Sequence, residues 1–406
     1  MPSNTFAALG LAEPLRHALE RERFIDPTPI QANAIPPLLT GRDLLGIAPT
    51  GTGKTAAFAL PMLQHLISVR ARPAHFVTRA LILGPTRELA LQIEDSLRRL
   101  ASQQPLRIVA IVGGVSRFMQ VQRMRGGADI VIGTPGRVCD LMVTGELKLN
   151  QVSQFVLDEA DRMLDLGFIR DIRRIVAALP AQRQSALFSA TMPPEVATLA
   201  ETLLRHPMRV DVVQGAPAAL PIEQHVHFVE PAGKRVLLGR LLADPTLSRV
   251  IVFTRTKRGA NQVADALDTG GVHVAALHGN KSQLARQKAL EQFRTGRARV
   301  LVATDIAARG IDVTGISHVI NFDLPTQPED YVHRIGRTAR AGASGVAISF
   351  CDPAQQAALR TIERMTGTRL QIASGSVPVA RPPGTHAQTE KRQSRRRRRG
   401  RSAVGI

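Results

Sequence analysis

The chain has 406 residues, more than a single hydrophobic core usually serves, so two domains are expected, with an apolar content of 44% to fill both cores. Lysine and arginine total 53 against 33 acidic residues, a net charge of +20 that calls for a polyanion, nucleic acid or an anionic membrane surface. Two cysteines exclude a disulfide framework or a cysteine-rich zinc site, no apolar stretch reaches the ~20 residues of a membrane span, and Met1–Gly10 lacks the features of a signal peptide, so the expectation is a cytoplasmic chain with reduced thiols and no membrane partner.

In chain order, short apolar runs alternate with amphipathic stretches. Leu44–Ile47, Ala80–Leu83, Ile108–Val112, Ile130–Ile132, Phe155–Leu157 and Ala186–Phe188 read as buried strands. Glu88–Leu100 and Ile169–Leu179 carry apolar residues at helical spacing. The alternation restarts at Val250–Phe253, Val272–Leu277, Val300–Ala303, His318–Ile320 and Val346–Phe350. Continuous apolar strands separated by helices predict α/β domains with parallel sheets covered on both faces. The expected division is a first domain at 1–212, a linker at 213–222, a second domain at 223–372 and a disordered Arg-rich tail at 373–406. From Ser374 onward nine basic residues face one acidic residue, too polar a segment to offset the entropy of folding. It is read as a nonspecific RNA-binding arm or as a solvated tail.

The strand Leu44–Ile47 runs into Ala48-Pro49-Thr50-Gly51-Thr52-Gly53-Lys54-Thr55, and a helix-forming run, Ala56–Leu63, follows, interrupted by Pro61. Glycines at 51 and 53 let backbone N–H groups curl around phosphate oxygens at a helix N-terminus. Lys54 can reach the β- and γ-phosphates, and the Thr55 hydroxyl can ligate Mg²⁺. The general phosphate-loop pattern starts with Gly where this chain has Ala48. Further on, Phe155–Leu157 ends in Asp158-Glu159-Ala160-Asp161, carboxylates at the ligand-binding edge of a parallel sheet. Asp158 is the candidate to hold Mg²⁺ through water, and Glu159 the candidate to activate an attacking water.

With these elements in place the chain resembles the DEAD-box helicases from about Thr5 to Ile372, with many motifs in the family's order. In that family the loop reads A-x-T-G-x-G-K-T, which Ala48–Thr55 fits. The resemblance implies two tandem RecA-like domains, an RNA-stimulated ATPase with ATP and Mg²⁺ as cofactors, and RNA as partner. Within the family it is most like the bacterial RhlE-like subgroup. Pro27–Gln31 resembles the adenine-reading motif, with Gln31 on the base and Phe6 stacked upon it; Arg23 stands before Phe24 where the family usually has Gly. Thr50, Gly51, Thr52, Gly53, Lys54 and Thr55 would cradle phosphates, with Gly310 and Asp312 at the ribose. Ser189 and Thr191 resemble the motif that couples the acidic quartet to domain closure. Pro85, Thr86, Arg87, Gly114, Thr134, Pro135 and Arg137 resemble the first domain's RNA contacts. Arg255, His278, Gly279 and Thr304, with Gln283 and Arg286, resemble the second's. His333 would link its motif to the quartet, and Arg337 and Arg340 would act as arginine fingers, with Ala339 where Gly is common. Aromatic residues make up 3% of the chain, with no Trp, which disfavours a base-stacking platform and favours backbone contacts. Two other readings stay open, an RNA clamp that uses ATP only to stay closed, and a DNA motor. Ribosomal and RNA-decay assemblies are open as partners.

Overall fold

In a computed structural model, the structure describes residues 5–49, 51–69, 71–212, 222–308, 313, 315–339 and 344–375. The expected linker through residue 221, most of the expected tail, and Thr50, Gly310, Asp312 and Arg340 lie outside the described residues.

The first sheet has seven strands: β1 (Leu44–Ile47), β2 (Thr78–Leu83), β3 (Ile108–Ile111), β4 (Ala128–Gly133), β5 (Gln154–Leu157), β6 (Gln184–Ser189) and β7 (Met208–Asp211). The second has β8 (Ile222–Phe228), β9 (Val250–Phe253), β10 (Val274–Leu277), β11 (Val300–Ala303), β12 (His318–Asn321), β13 (Gly345–Cys351) and β14 (Gln371–Ser374). The spatial orders are β3-β4-β2-β5-β6-β1-β7 and β10-β11-β9-β12-β13-β8-β14. Adding seven to each strand number of the first order produces the second. Every strand pair is parallel. These are the two tandem RecA-like domains expected.

Burial follows from the sequence pattern. β2, β3, β4 and β5 are buried along their whole length, and two apolar clusters cover opposite faces of the first sheet. One is built around Phe58, Ile82 and Phe188, the other around Leu81, Phe155 and Leu187. Alternate residues of β2 feed opposite clusters, as the two-residue period of a strand requires. Three strands had no apolar run to reveal them. β7 and β14 are edge strands with mostly exposed side chains, and β8 carries Glu223, Gln224, His225 and His227. They also correct the boundaries by a residue or two, since Ile222 opens β8 and Ser374 closes β14. The helix after the phosphate loop is a second correction. It runs unbroken over Lys54–Ser68 with Pro61 inside, because burial of ten of its residues, Pro61 among them, outweighs one lost backbone hydrogen bond. Both cysteines are free and buried. No helix among the described residues is long and apolar enough to cross a membrane.

Candidate nucleotide and RNA site

The phosphate loop leaves the C-terminal end of β1. Gly51 and Gly53 have φ of +83° and +89°, a region that disfavours side chains. A Cβ on Gly53 would also sit 2.3 Å from Gln31 Nε2. Lys54 opens the following helix, and its ammonium is buried with no hydrogen-bond partner among the described residues. A buried, unpaired cation is costly, and phosphate oxygens would satisfy it. Asp158, at the end of β5, is 2% exposed. Burial pushes its carboxyl up to about 6, against the pull of Lys54. A buried carboxylate together with the Thr55 hydroxyl fits Mg²⁺ held partly through water and phosphate. Among the described residues no cluster of three or more His, Cys, Asp or Glu could hold a metal alone.

Glu159 follows in a left-handed conformation, φ +56°, and its N–H donates to Asp158 Oδ1 at 3.0 Å. That uncommon backbone conformation turns Glu159 into a cleft of about 610 Å³ between the domains. Glu159, Asp161 and Thr191 line one wall, and Asp305, His333 and Arg337 line the other. Asp161 is tied to the Ser189–Thr191 segment, its Oδ2 accepting from Thr191 Oγ1 (2.8 Å), Thr191 N (2.9 Å) and Ala190 N (3.2 Å). Ser189 Oγ accepts from Asp161 N at 3.2 Å. On the opposite wall Arg337 Nε donates to the His333 carbonyl at 3.2 Å, and His333 Nδ1 lies 3.9 Å from Asp330 Oδ1.

The adenine motif differs from expectation. Gln31 is 1% exposed; its Oε1 accepts from Thr28 N (2.9 Å) and its Nε2 donates to the Gly53 carbonyl (3.1 Å). Thr28 Oγ1 donates to the Thr52 carbonyl at 2.7 Å. Here the amide braces the phosphate loop. Phe6 is corrected outright. It is 6% exposed, part of the first core, and meets the Phe24 ring edge-on at 6.3 Å. Phe24 is 38% exposed and presents the available ring face. Arg23, standing where the family usually has Gly, has φ +58°, and Ala339, the other such position, has φ +55°. Both turns persist without their glycines.

The RNA motifs gather at strand ends. Pro85 and Thr86 follow β2, and Thr86 caps the helix Arg87–Leu100 by accepting from Leu89 N at 3.2 Å. The Arg87 guanidinium overlies Gly114, where a Cβ would fall 2.0 Å from Nη2. Burial, then the Arg286 and Arg137 cations, lower the Arg87 pKa. Thr134 and Pro135 start the helix after β4, and Arg137 Nη1 donates to the Val115 carbonyl at 3.3 Å. In the second domain Arg255 is exposed, with its backbone N–H on Asp323 Oδ2 at 3.0 Å. His278 Nε2 meets Asn261 Oδ1 at 2.8 Å, Gly279 is exposed, and Thr304 follows β11. Two further contacts join the domains' machinery, one made by Arg286, expected among the RNA contacts, and one by Arg334, which had no assigned role. Arg286 Nη2 lies 2.8 Å from Glu88 Oε1 of the first domain. Arg334, 2% exposed, clamps Asp305 at 2.5 and 2.7 Å and covers the Phe253 ring. Arg334 directly follows His333 in the chain, but only the folded chain shows what either arginine touches.

Comparison with known proteins decides the family. Residues 28–199 match the model described as DEAD/DEAH box helicase, and residues 233–342 match the helicase conserved C-terminal domain. The chain belongs to the DEAD-box helicase family. This helicase is similar to the ATP-dependent RNA helicase CshA of Listeria monocytogenes, 43% identical over 90% of this chain and 69% of the relative. It is also similar to the DEAD-box ATP-dependent RNA helicase CshA of Geobacillus kaustophilus, 41% identical over 90% and 78%. Among solved structures, S. cerevisiae Dbp5 bound to RNA and ADP BeF3 superposes with a TM-score of 0.82, at 34% identity, over 92% of this chain and 96% of that one.

Proposed function

We propose that this DEAD-box helicase couples ATP hydrolysis to closure of the cleft between its domains, and thereby separates short RNA duplexes or remodels RNA–protein complexes with little sequence preference. It is an ATP-dependent RNA helicase, and the observation that carries the mechanism is the shared cleft, with Glu159 on one wall and Arg337 on the other. Lys54 and the loop glycines hold the phosphates. Glu159 orients the attacking water, and Arg337, with Arg340, stabilises charge that develops on the γ-phosphate. Mg²⁺, held by Thr55 and Asp158, would offset phosphate charge. Phe24, in place of Phe6, offers its face to the adenine, and Gln31 reads the base after releasing part of its hold on the loop. Gly310 and Asp312 remain assigned to the ribose.

Arg87, Gly114 and Arg137 on one domain, with Arg255, His278, Gly279 and Thr304 on the other, grip sugar–phosphate. Each ligand is bound by both domains, so each favours closure and raises the other's affinity. Thr191 and Ser189 pass the state of the quartet to the cleft through Asp161. A first domain through residue 212, a linker after it and a second domain from Ile222 to Ser374 serve this hinge, followed by the basic tail. A cytoplasmic location, the RhlE-like subgroup and use in ribosomal or RNA-decay assemblies complete the reading. Glu159→Gln tests it. ATP binding should persist, phosphate release should nearly vanish, and RNA should stay trapped; free turnover would remove Glu159 from its role. RNA-stimulated phosphate release separates this enzyme from a passive clamp, and competition between RNA and DNA separates it from a DNA motor.

A further inference from the structure

Among the described residues, two phenyl or phenol rings are more than a third exposed. Phe24 precedes by four residues the helix cap Thr28, whose hydroxyl donates to the Thr52 carbonyl of the phosphate loop. Phe118, 67% exposed, adjoins the RNA motifs. It sits in the first turn of the helix Arg117–Met124, whose cap Ser116 accepts from Met119 N at 3.5 Å. That helix begins just after Gly114, beneath the Arg87 guanidinium, and just after Val115, whose carbonyl accepts from Arg137. Its inner face is fixed. Gln120, 3% exposed, accepts from Val112 N at 2.8 Å and donates to the Val112 carbonyl at 3.1 Å, and Met124 is fully buried. Its outer face shows Phe118 and Met119, 54% exposed, beside Val115, 39% exposed.

We propose that Phe118 is a stacking platform for one nucleobase of the bound RNA, placed next to the nucleotides whose backbone lies against Arg87, Gly114 and Arg137. This deepens the RNA-groove reading and rests on it. Charge selects the occupant. From Gly113 to Ala128 the chain carries no acidic residue; Arg117 is paired with Glu146 and Asp140, and the exposed Arg123 and Arg125 suit a polyanion. A ring held on a rigid helix gives a base a flat apolar partner at small entropic cost, and every base has a face to offer. Phe118 therefore adds affinity without demanding a sequence, with purines favoured for their larger area. The scarcity of aromatic residues limits such a platform to one ring at one end of the groove.

The test uses the full chain with ADP and beryllium fluoride, and an RNA of about 12 nucleotides carrying 2-aminopurine at successive positions. One position should be quenched by the parent protein and by Phe118→Trp, and not by Phe118→Ala. Phe118→Ala should lower RNA affinity about ten-fold and leave RNA-free ATP hydrolysis and the melting temperature unchanged. An abasic residue at the quenched position should cost the parent the same factor and cost Phe118→Ala nothing further. Unchanged affinity in Phe118→Ala, while Arg137→Ala still weakens binding, overturns the platform alone. If neither substitution changes binding, the groove reading itself falls.

Discussion

The Arg286 guanidinium of the second domain lies 2.8 Å from the Glu88 carboxylate of the first, with side chains 15% and 8% exposed. A pair this sheltered is less screened than a surface ion pair. It exists only when the domains meet, so it contributes to closure and little to the stability of either domain. Arg286→Ala should raise the RNA concentration needed for half-maximal ATPase stimulation by about 10-fold or more, since the surviving carboxylate stays buried and unpaired. Exchanging the charges, Glu88→Arg with Arg286→Glu, should recover part of the loss. Equal effects of Arg286→Ala on closure and on the unfolding of the isolated second domain would refute this role.

Arg23 and Ala339 occupy left-handed positions at φ +58° and +55°. Such a conformation costs a side-chain-bearing residue roughly 1–2 kcal/mol, partly offset by the greater unfolded-state freedom of glycine. Arg23→Gly should therefore raise stability by up to about 1 kcal/mol, seen as a higher melting temperature with unchanged ATP affinity. A lower melting temperature would show that the Arg23 side chain contributes more than its backbone costs.

Protonation should act on stability in two opposed ways. His65, His227, His278 and His318 are all held below the ordinary imidazole value, chiefly by burial. Each binds its proton more readily when unfolded, so stability is lost as pH falls through about 6.5. Asp158, pushed up to about 6 by burial, has the opposite sign. In the nucleotide-free protein it favours the folded state as pH falls from about 6 toward 4. Asp158→Asn should then lose stability more steeply than the parent over that window in denaturant titrations; parallel curves would place the Asp158 pKa near its unfolded value.

Much of the fold was legible because buried parallel strands are unbroken apolar runs. Leu44–Ile47, Val250–Phe253 and Val300–Ala303 have the expected bounds to the residue. β7 and β14 were not legible, since an edge strand has no need of an apolar run. The phosphate loop and acidic quartet were legible because their chemistry is local in sequence. Phe6 and Phe24 were not told apart, because which ring is buried depends on the packing of the first core. The partnerships Glu88–Arg286 and Arg334–Asp305 depend on a three-dimensional meeting that no local spacing encodes.

The two sheets share one strand order, yet only the first carries a phosphate loop after its opening strand. β8 runs instead through Val229-Glu230-Pro231-Ala232 to Gly233 and Lys234, and there the lysine ammonium is already held by Asp352 at 2.9 Å and Gln355 at 2.8 Å. The molecule is a pair of unequal twins. One carries the loop that ends at the buried Lys54, and the other lines the shared cleft with Arg337, opposite Glu159. On the mechanism proposed above, a single fuel molecule would report to both halves at once.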